Sequence, residues 1–142
     1  MSEWLSTEDF IPEEYFGFVY KITNLQSGKF YIGRKQLSST TTKALTKKEL
    51  LEQTDKRSSK KKKVTKESNW KNYWGSNKDL LNDVKELGKD QFKREIIKLC
   101  RTKKELTYYE MHYQCTYGVL LFPEVTYNDN ISGKYFTRDL IF

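Results

Sequence analysis

Residues Phe16-Gly17-Phe18-Val19-Tyr20-Lys21-Ile22-Thr23 and Lys29-Phe30-Tyr31-Ile32-Gly33-Arg34 flank the segment Asn24-Leu25-Gln26-Ser27-Gly28. Both flanks are rich in β-branched and aromatic side chains, which favour extended strands. The Asn, Ser and Gly between them supply side-chain caps and a permissive backbone for a turn. The stretch therefore predicts a β-hairpin over residues 16–34. Ten residues separate Tyr20 from Tyr31, so the turn carries the two phenols back toward one another.

Downstream, Leu80, Leu81, Val84 and Leu87 recur at helical spacing, with Ser76 or Asn77 as cap and Gly88 as stop. Phe92 to Cys100 has the length and composition of a buried strand, with Ile96, Ile97 and Leu99 at its centre. Thr102-Lys103-Lys104-Glu105 has capping-box spacing and starts a helix that runs to about Tyr117. Residues 43–54 read as a short polar helix, and the tail from Phe122 as irregular. This order predicts an α/β sandwich: a small, mostly antiparallel sheet made of the hairpin plus a third strand, flanked by helices. A length of 142 residues suits one domain. Aromatics at 15% are too many for a disordered chain and point to a core built on large rings.

The charge is uneven. Five acids and no base occupy residues 1–15, an acidic N-terminal arm. Ten bases crowd into residues 43–67, in a Lys-rich insertion that includes Lys60, Lys61, Lys62 and Lys63. Like charges repel, so this run reads as a solvated loop over 56–66. It is either a solubilising surface insertion or an arm that binds phosphates through counterion release. The longest apolar run, Val119 to Phe122, is far too short to span a bilayer. The acidic start does not read as a secretory leader. Cys100 and Cys115 make no disulfide framework and read as reduced thiols of a cytoplasmic protein.

On the helix from Thr102, Leu106, Glu110, Tyr113 and Tyr117 are spaced to share one face. A buried carboxylate is costly without a partner. Glu110 therefore either pairs with a basic or hydrogen-bonding group or binds a cation. His112 points away from Glu110 and reads as a surface residue. Cys100, His112 and Cys115 do not follow zinc spacing. Trp70, Tyr73 and Trp74 read either as core or as a stacking platform for bases.

The hairpin resembles the GIY-YIG nuclease family. Tyr31-Ile32-Gly33 gives the YIG element intact, and Phe18-Val19-Tyr20 stands for GIY, with Gly17 one step earlier. The segments Trp70-Lys-Asn-Tyr-Trp-Gly-Ser76 and Phe92-Lys-Arg-Glu-Ile96 look most like phage-encoded members related to Seg-type homing endonucleases. The resemblance implies one nuclease domain over 16–142 that hydrolyses DNA phosphodiesters with a single divalent cation, Mg²⁺ or Mn²⁺. By position, Tyr20 and Tyr31 match the signature tyrosines and Glu110 the metal-holding glutamate. Asn128 or Asn130 matches the family asparagine, with Asn130 taken as the candidate. The family arginine, eight residues after the YIG glycine, falls on Thr41. Lys35, Arg34 and Arg94 are the substitutes, with Lys35 the first choice for the phosphate contact near the tyrosines and Arg94 for the displaced arginine. A cation beside a phenol lowers its pKa, which makes Tyr20 the preferred general base and Tyr31 the orienting group. Lys60 to Lys63 are expected on DNA phosphates, and Tyr73, Gly75 and Ser76 on the backbone at a helix start. The implied partner is DNA, with no membrane; monomer and dimer both fit, as does the cytoplasm of a phage host. The rivals are a binding module that keeps the fold without catalysis, an RNA nuclease, and a basic protein of membrane surfaces.

Overall fold

The computed structural model describes residues 3–53 and 60–140. In chain order the elements are β1 (Trp4–Leu5), β2 (Gly17–Asn24), β3 (Phe30–Gln36), β4 (Ser38–Ala44), α1 (Lys47–Glu52), β5 (Lys61–Glu67), α2 (Lys78–Leu87), β6 (Phe92–Cys100), α3 (Lys103–Thr116), β7 (Asn130–Ile131) and β8 (Tyr135–Phe136). The main sheet has the order β1-β6-β2-β3. Strand β2 is antiparallel to β3 and to β6, and β1 adds in parallel to β6. This is the expected mixed α/β architecture, a small and mostly antiparallel sheet flanked by helices.

Alternation along β2 sends Phe18, Tyr20 and Ile22 to one face and Val19 to the other. The first face is covered by Trp70, Trp74, Leu80 and Val84, with Trp4 and Phe10 at its margin. The second is covered by Leu106 of α3 together with Val119, Leu120 and Ile131. Trp70 and Trp74 are buried, so they serve as core. Both long helices start on the expected caps: Asn77 Oδ1 accepts from the Leu80 amide, and the Thr102 hydroxyl accepts from the Glu105 amide. Gly88 ends α2 at φ 92, a conformation that favours glycine.

Two glycines set the hairpin geometry. Tyr20 lies opposite Gly33 in the ladder. A Cβ at position 33 would come within 2.5 Å of the Tyr20 hydroxyl and 2.8 Å of Tyr31 Cε2. The bare glycine thus lets the phenol of β2 pass over β3. At Gly17, a Cβ would meet the Lys35 carbonyl oxygen at 2.5 Å and Leu106 at 2.8 Å. Its missing side chain lets α3 approach the sheet.

The lysine run departs from expectation. Lys61 to Lys63 are not in a loop; they lie in β5, which pairs with β4 in register from Ser38↔Glu67 to Ala44↔Lys61. Alternation in the strand sends neighbouring lysines to opposite faces, which weakens the repulsion that the linear sequence implies. Thr41 is therefore a strand residue opposite Val64. The polar helix expected over 43–54 is the shorter α1, held by a Thr46–Glu49 capping box. Lys56 and Arg57 of the expected loop lie outside the described residues. Among the described residues, no helix is long and apolar enough to cross a membrane.

Candidate active site

β3 is the outer strand of the sheet, and its open side is where the functional side chains gather. The tail runs alongside its first half. The Phe30 amide donates to the Val125 carbonyl, and the Tyr127 amide to the Phe30 carbonyl. Asn128 then replaces a backbone partner: its Oδ1 accepts from the Ile32 amide at 3.0 Å and its Nδ2 donates to the Ile32 carbonyl at 2.8 Å. Gln114 of α3 donates to the same carbonyl at 3.1 Å.

Beyond this clip lies a polar cavity of about 580 Å³. Tyr31 and Arg34 enter it from β3, Glu110 and Gln114 from α3, Ser76 and Lys78 from the start of α2, and Asn130 from the tail. Tyr31 and Arg34 belong to opposite faces of β3, yet both reach its free edge. An edge strand is the one place in a sheet where side chains of both faces can share a cleft.

Glu110 has a side chain only 14% exposed, and Arg34 Nε lies 3.7 Å from its Oε1. Burial raises the Glu110 pKa and Arg34 lowers it, with burial the larger effect. The Arg34 guanidinium also donates to the Thr107 hydroxyl at 2.6 Å. The acid on the helix therefore has a cationic neighbour and still faces the cavity. The buried face of α3 is centred on Leu106 and Gln114 rather than on the Leu106-to-Tyr117 stripe, and Tyr117 is exposed.

The expected lowering of a tyrosine pKa is reversed. Tyr20 is 1% exposed, and burial, then the neighbouring Tyr31 and Tyr73, raises its pKa well above the ordinary phenol value. Tyr31 is also raised, chiefly by burial, with a hydrogen bond to Ser76 acting in the opposite direction. Lys35 does not act on either phenol as expected. Its ammonium sits 4.2 Å above the Tyr73 ring, and burial lowers its own pKa. Tyr20 stands behind Tyr31, with ring centroids 6.1 Å apart.

Arg94 is not at the cleft. It is 4% exposed and its guanidinium lies 4.5 Å from the Trp4 ring and 4.2 Å from the Trp74 ring. It donates to the Tyr73 carbonyl at 2.7 Å, so it braces the segment leading to α2. Of the three proposed cations, Arg34 alone lines the cavity. Of Tyr73, Gly75 and Ser76, only Ser76 does so. Gly75, at φ 90, lies against Tyr20 and Tyr31, where a Cβ would meet the Tyr20 hydroxyl at 3.4 Å. Asn130 faces the cavity rim, donating to Asp129 at 2.7 Å and accepting from the Gly133 amide at 3.0 Å. Lys62 is held by Glu49 at 2.7 Å, and its partner's pKa is pulled down to about 2, first by that contact.

Sequence reading missed Asp79, Asp129, Gln114, Lys78 and Ser132. Gln114 sits four residues after Glu110, one helical turn on, and that spacing was a usable signal. Lys78 follows the Asn77 cap directly. Ser132 carries no signal in one sequence; it adopts φ 55 in the turn at the cavity rim.

A polar cavity at a sheet edge, with the carboxylates Asp79, Glu110 and Asp129, a guanidinium, a phenol and a helix start, suits a phosphate diester together with a hard cation. The profile of the family described as "Putative endonuclease segE, GIY-YIG domain" matches residues 3–131. The chain belongs to this family of Seg-type GIY-YIG endonuclease domains. No curated protein and no solved structure matches it.

Proposed function

We propose that the protein is a metal-dependent endonuclease that hydrolyses DNA phosphodiester bonds. The observation that carries this reading is the convergence of Tyr31, Arg34 and Glu110 on one cavity. A phage-encoded enzyme at work in a host cytoplasm is the setting we infer from the sequence resemblance.

Hydrolysis forms a bond from a water oxygen to phosphorus and breaks the bond to the 3′ oxygen; a proton leaves the water for solvent, the 3′ oxygen takes one from solvent, and negative charge grows on the phosphoryl oxygens on the way. Arg34 offsets that charge from the cavity wall. The Ser76 hydroxyl and the start of α2 receive a phosphate oxygen. The Tyr31 phenol, kept neutral by its raised pKa, orients the attacking water rather than stripping its proton. Tyr20 packs behind Tyr31 and positions it.

The donor set fits a divalent cation. Among the described residues no three His, Cys, Asp or Glu side chains are grouped to hold a metal. Mg²⁺ or Mn²⁺ takes one or two carboxylates plus water and substrate oxygens, and Glu110, in a cavity that Asp79 and Asp129 also line, meets that need. When bound, such a cation polarises the scissile phosphate and eases departure of the 3′ oxygen. Lys60 holds a flanking phosphate.

Supercoiled plasmid with protein and Mg²⁺ tests this. Nicked or linear product that EDTA and Glu110→Ala both abolish supports the nuclease. Binding without any cleavage in Mg²⁺ or Mn²⁺ would leave a non-catalytic DNA-binding module.

A further inference from the structure

The pair β4–β5 is a two-stranded ribbon outside the main sheet. Each strand has seven residues, so the ribbon is roughly 20 Å long at the usual rise. Only Ala44 and Val64 among its residues are apolar, and most positions are exposed. A ribbon that buries no apolar face of its own is marginal in water. This one is anchored at its base. The Leu37 amide donates to the Phe16 carbonyl at 3.0 Å, the Ser68 amide to the Leu37 carbonyl at 3.0 Å, and the Ser68 hydroxyl to the Gln36 carbonyl at 2.5 Å.

Its two roots are the two segments that build the cleft. Strand β3, with Tyr31 and Arg34, runs into β4 across Leu37. Strand β5 runs out through Trp70 to Ser76. The ribbon is thus continuous in the chain with both segments that supply the cavity's Tyr31, Arg34 and Ser76. The two faces of the ribbon differ. One carries the pairs Ala44–Lys61, Thr42–Lys63 and Thr40–Thr65, the last with its hydroxyls 3.1 Å apart, and ends at the base on Ser38–Glu67. The other carries Ser39–Lys66, Thr41–Val64 and Lys43–Lys62, and its Lys62 is tied to Glu49 of α1.

We propose that this ribbon enters the major groove of duplex DNA beside the cleaved phosphate, with its threonine–lysine face toward the base edges. The inference rests on the nuclease reading for its ligand. The major groove, about 12 Å wide, admits a two-stranded β-ribbon. Threonine hydroxyls and lysine ammonium groups bond the donors and acceptors displayed there, lysine with guanine O6 and N7 above all. Short hydroxyl side chains let the backbone approach the bases, whereas an arm that only clamped phosphates would need lysines alone.

Methylation interference tests it. The full chain carrying Glu110→Gln is bound to a labelled duplex premethylated at guanine N7, and bound and free DNA are compared. The ribbon predicts a short patch of interfering guanines next to the cleavage position. Thr42→Val with Lys63→Ala, a directly opposed pair on the threonine–lysine face, should erase part of that patch and weaken binding by about tenfold. Ser39→Ala with Lys66→Ala, on the other face, should leave the patch in place. Unchanged melting temperatures confirm that both pairs fold. No guanine-N7 interference, or the same loss from either pair, overturns the groove contact and leaves a phosphate clamp. A wild-type chain that cuts nothing yet shows the ribbon-dependent patch would sink the nuclease and spare the ribbon.

Discussion

At the residue scale, Glu110 is held where a carboxylate is least comfortable. Burial outweighs Arg34 and raises its pKa. A carboxyl whose folded pKa lies above its unfolded one binds its proton more tightly in the folded state. Its contribution is then most favourable in acid and is given up as pH rises through the folded pKa. At neutral pH Glu110 therefore costs stability. Glu110→Gln should melt at the same temperature or higher, while cleavage falls at least a hundredfold or so with loss of the cation. A lower melting temperature would show that the acid is there for structure. The cation needs the ionised form, so cation binding and protonation of Glu110 compete, and lower pH should demand more Mg²⁺ for the same cleavage rate. The tyrosines separate in the same way. Tyr31→Phe removes a cavity-lining hydroxyl and should slow cleavage by about 10- to 100-fold, measured at saturating DNA. Tyr20→Phe should cost less, since that phenol is buried behind Tyr31; an equal or larger loss would return the base role to Tyr20. Both phenols and the acid were legible from motif and helical spacing. Which tyrosine faces the substrate was not, because that depends on β3 being the outer strand, a fact of sheet order.

At the element scale, the free edge of β3 is held by side chains rather than by another strand. Asn128 meets both backbone groups of Ile32. Asn128→Ala leaves a buried amide without a partner, and should cost about 1–3 kcal/mol by chemical denaturation. Cleavage should fall with it, because Tyr31 precedes Ile32 on the same strand; unchanged stability would mean that water replaces the side chain. Helix α2 was readable because its cap and its apolar periodicity agree, α3 because its capping spacing marks the start, and β6 from its length and apolar composition. The β4–β5 ribbon was not. A run of lysines read in isolation says repulsion, and only its threonine-rich partner, some twenty residues earlier, makes a strand of it. Strand β1 is two residues long and leaves no periodicity to read.

At the scale of the whole molecule, the sheet buries an aromatic-rich cluster on one face and a mainly aliphatic one on the other, and the polar cavity lies at its β3 edge. The net charge of +7 and the lysine ribbon put cationic surface beside that edge. The observable that bears most directly on the convergence of Tyr31, Arg34 and Glu110 is the nature of the ends left on an end-labelled duplex in Mg²⁺. Hydrolysis in this cleft yields discrete fragments with 5′-phosphate and 3′-hydroxyl ends, all of them lost with Glu110→Gln. An intact duplex, or fragments that persist with Glu110→Gln, would show that these three side chains do not form a phosphodiesterase site.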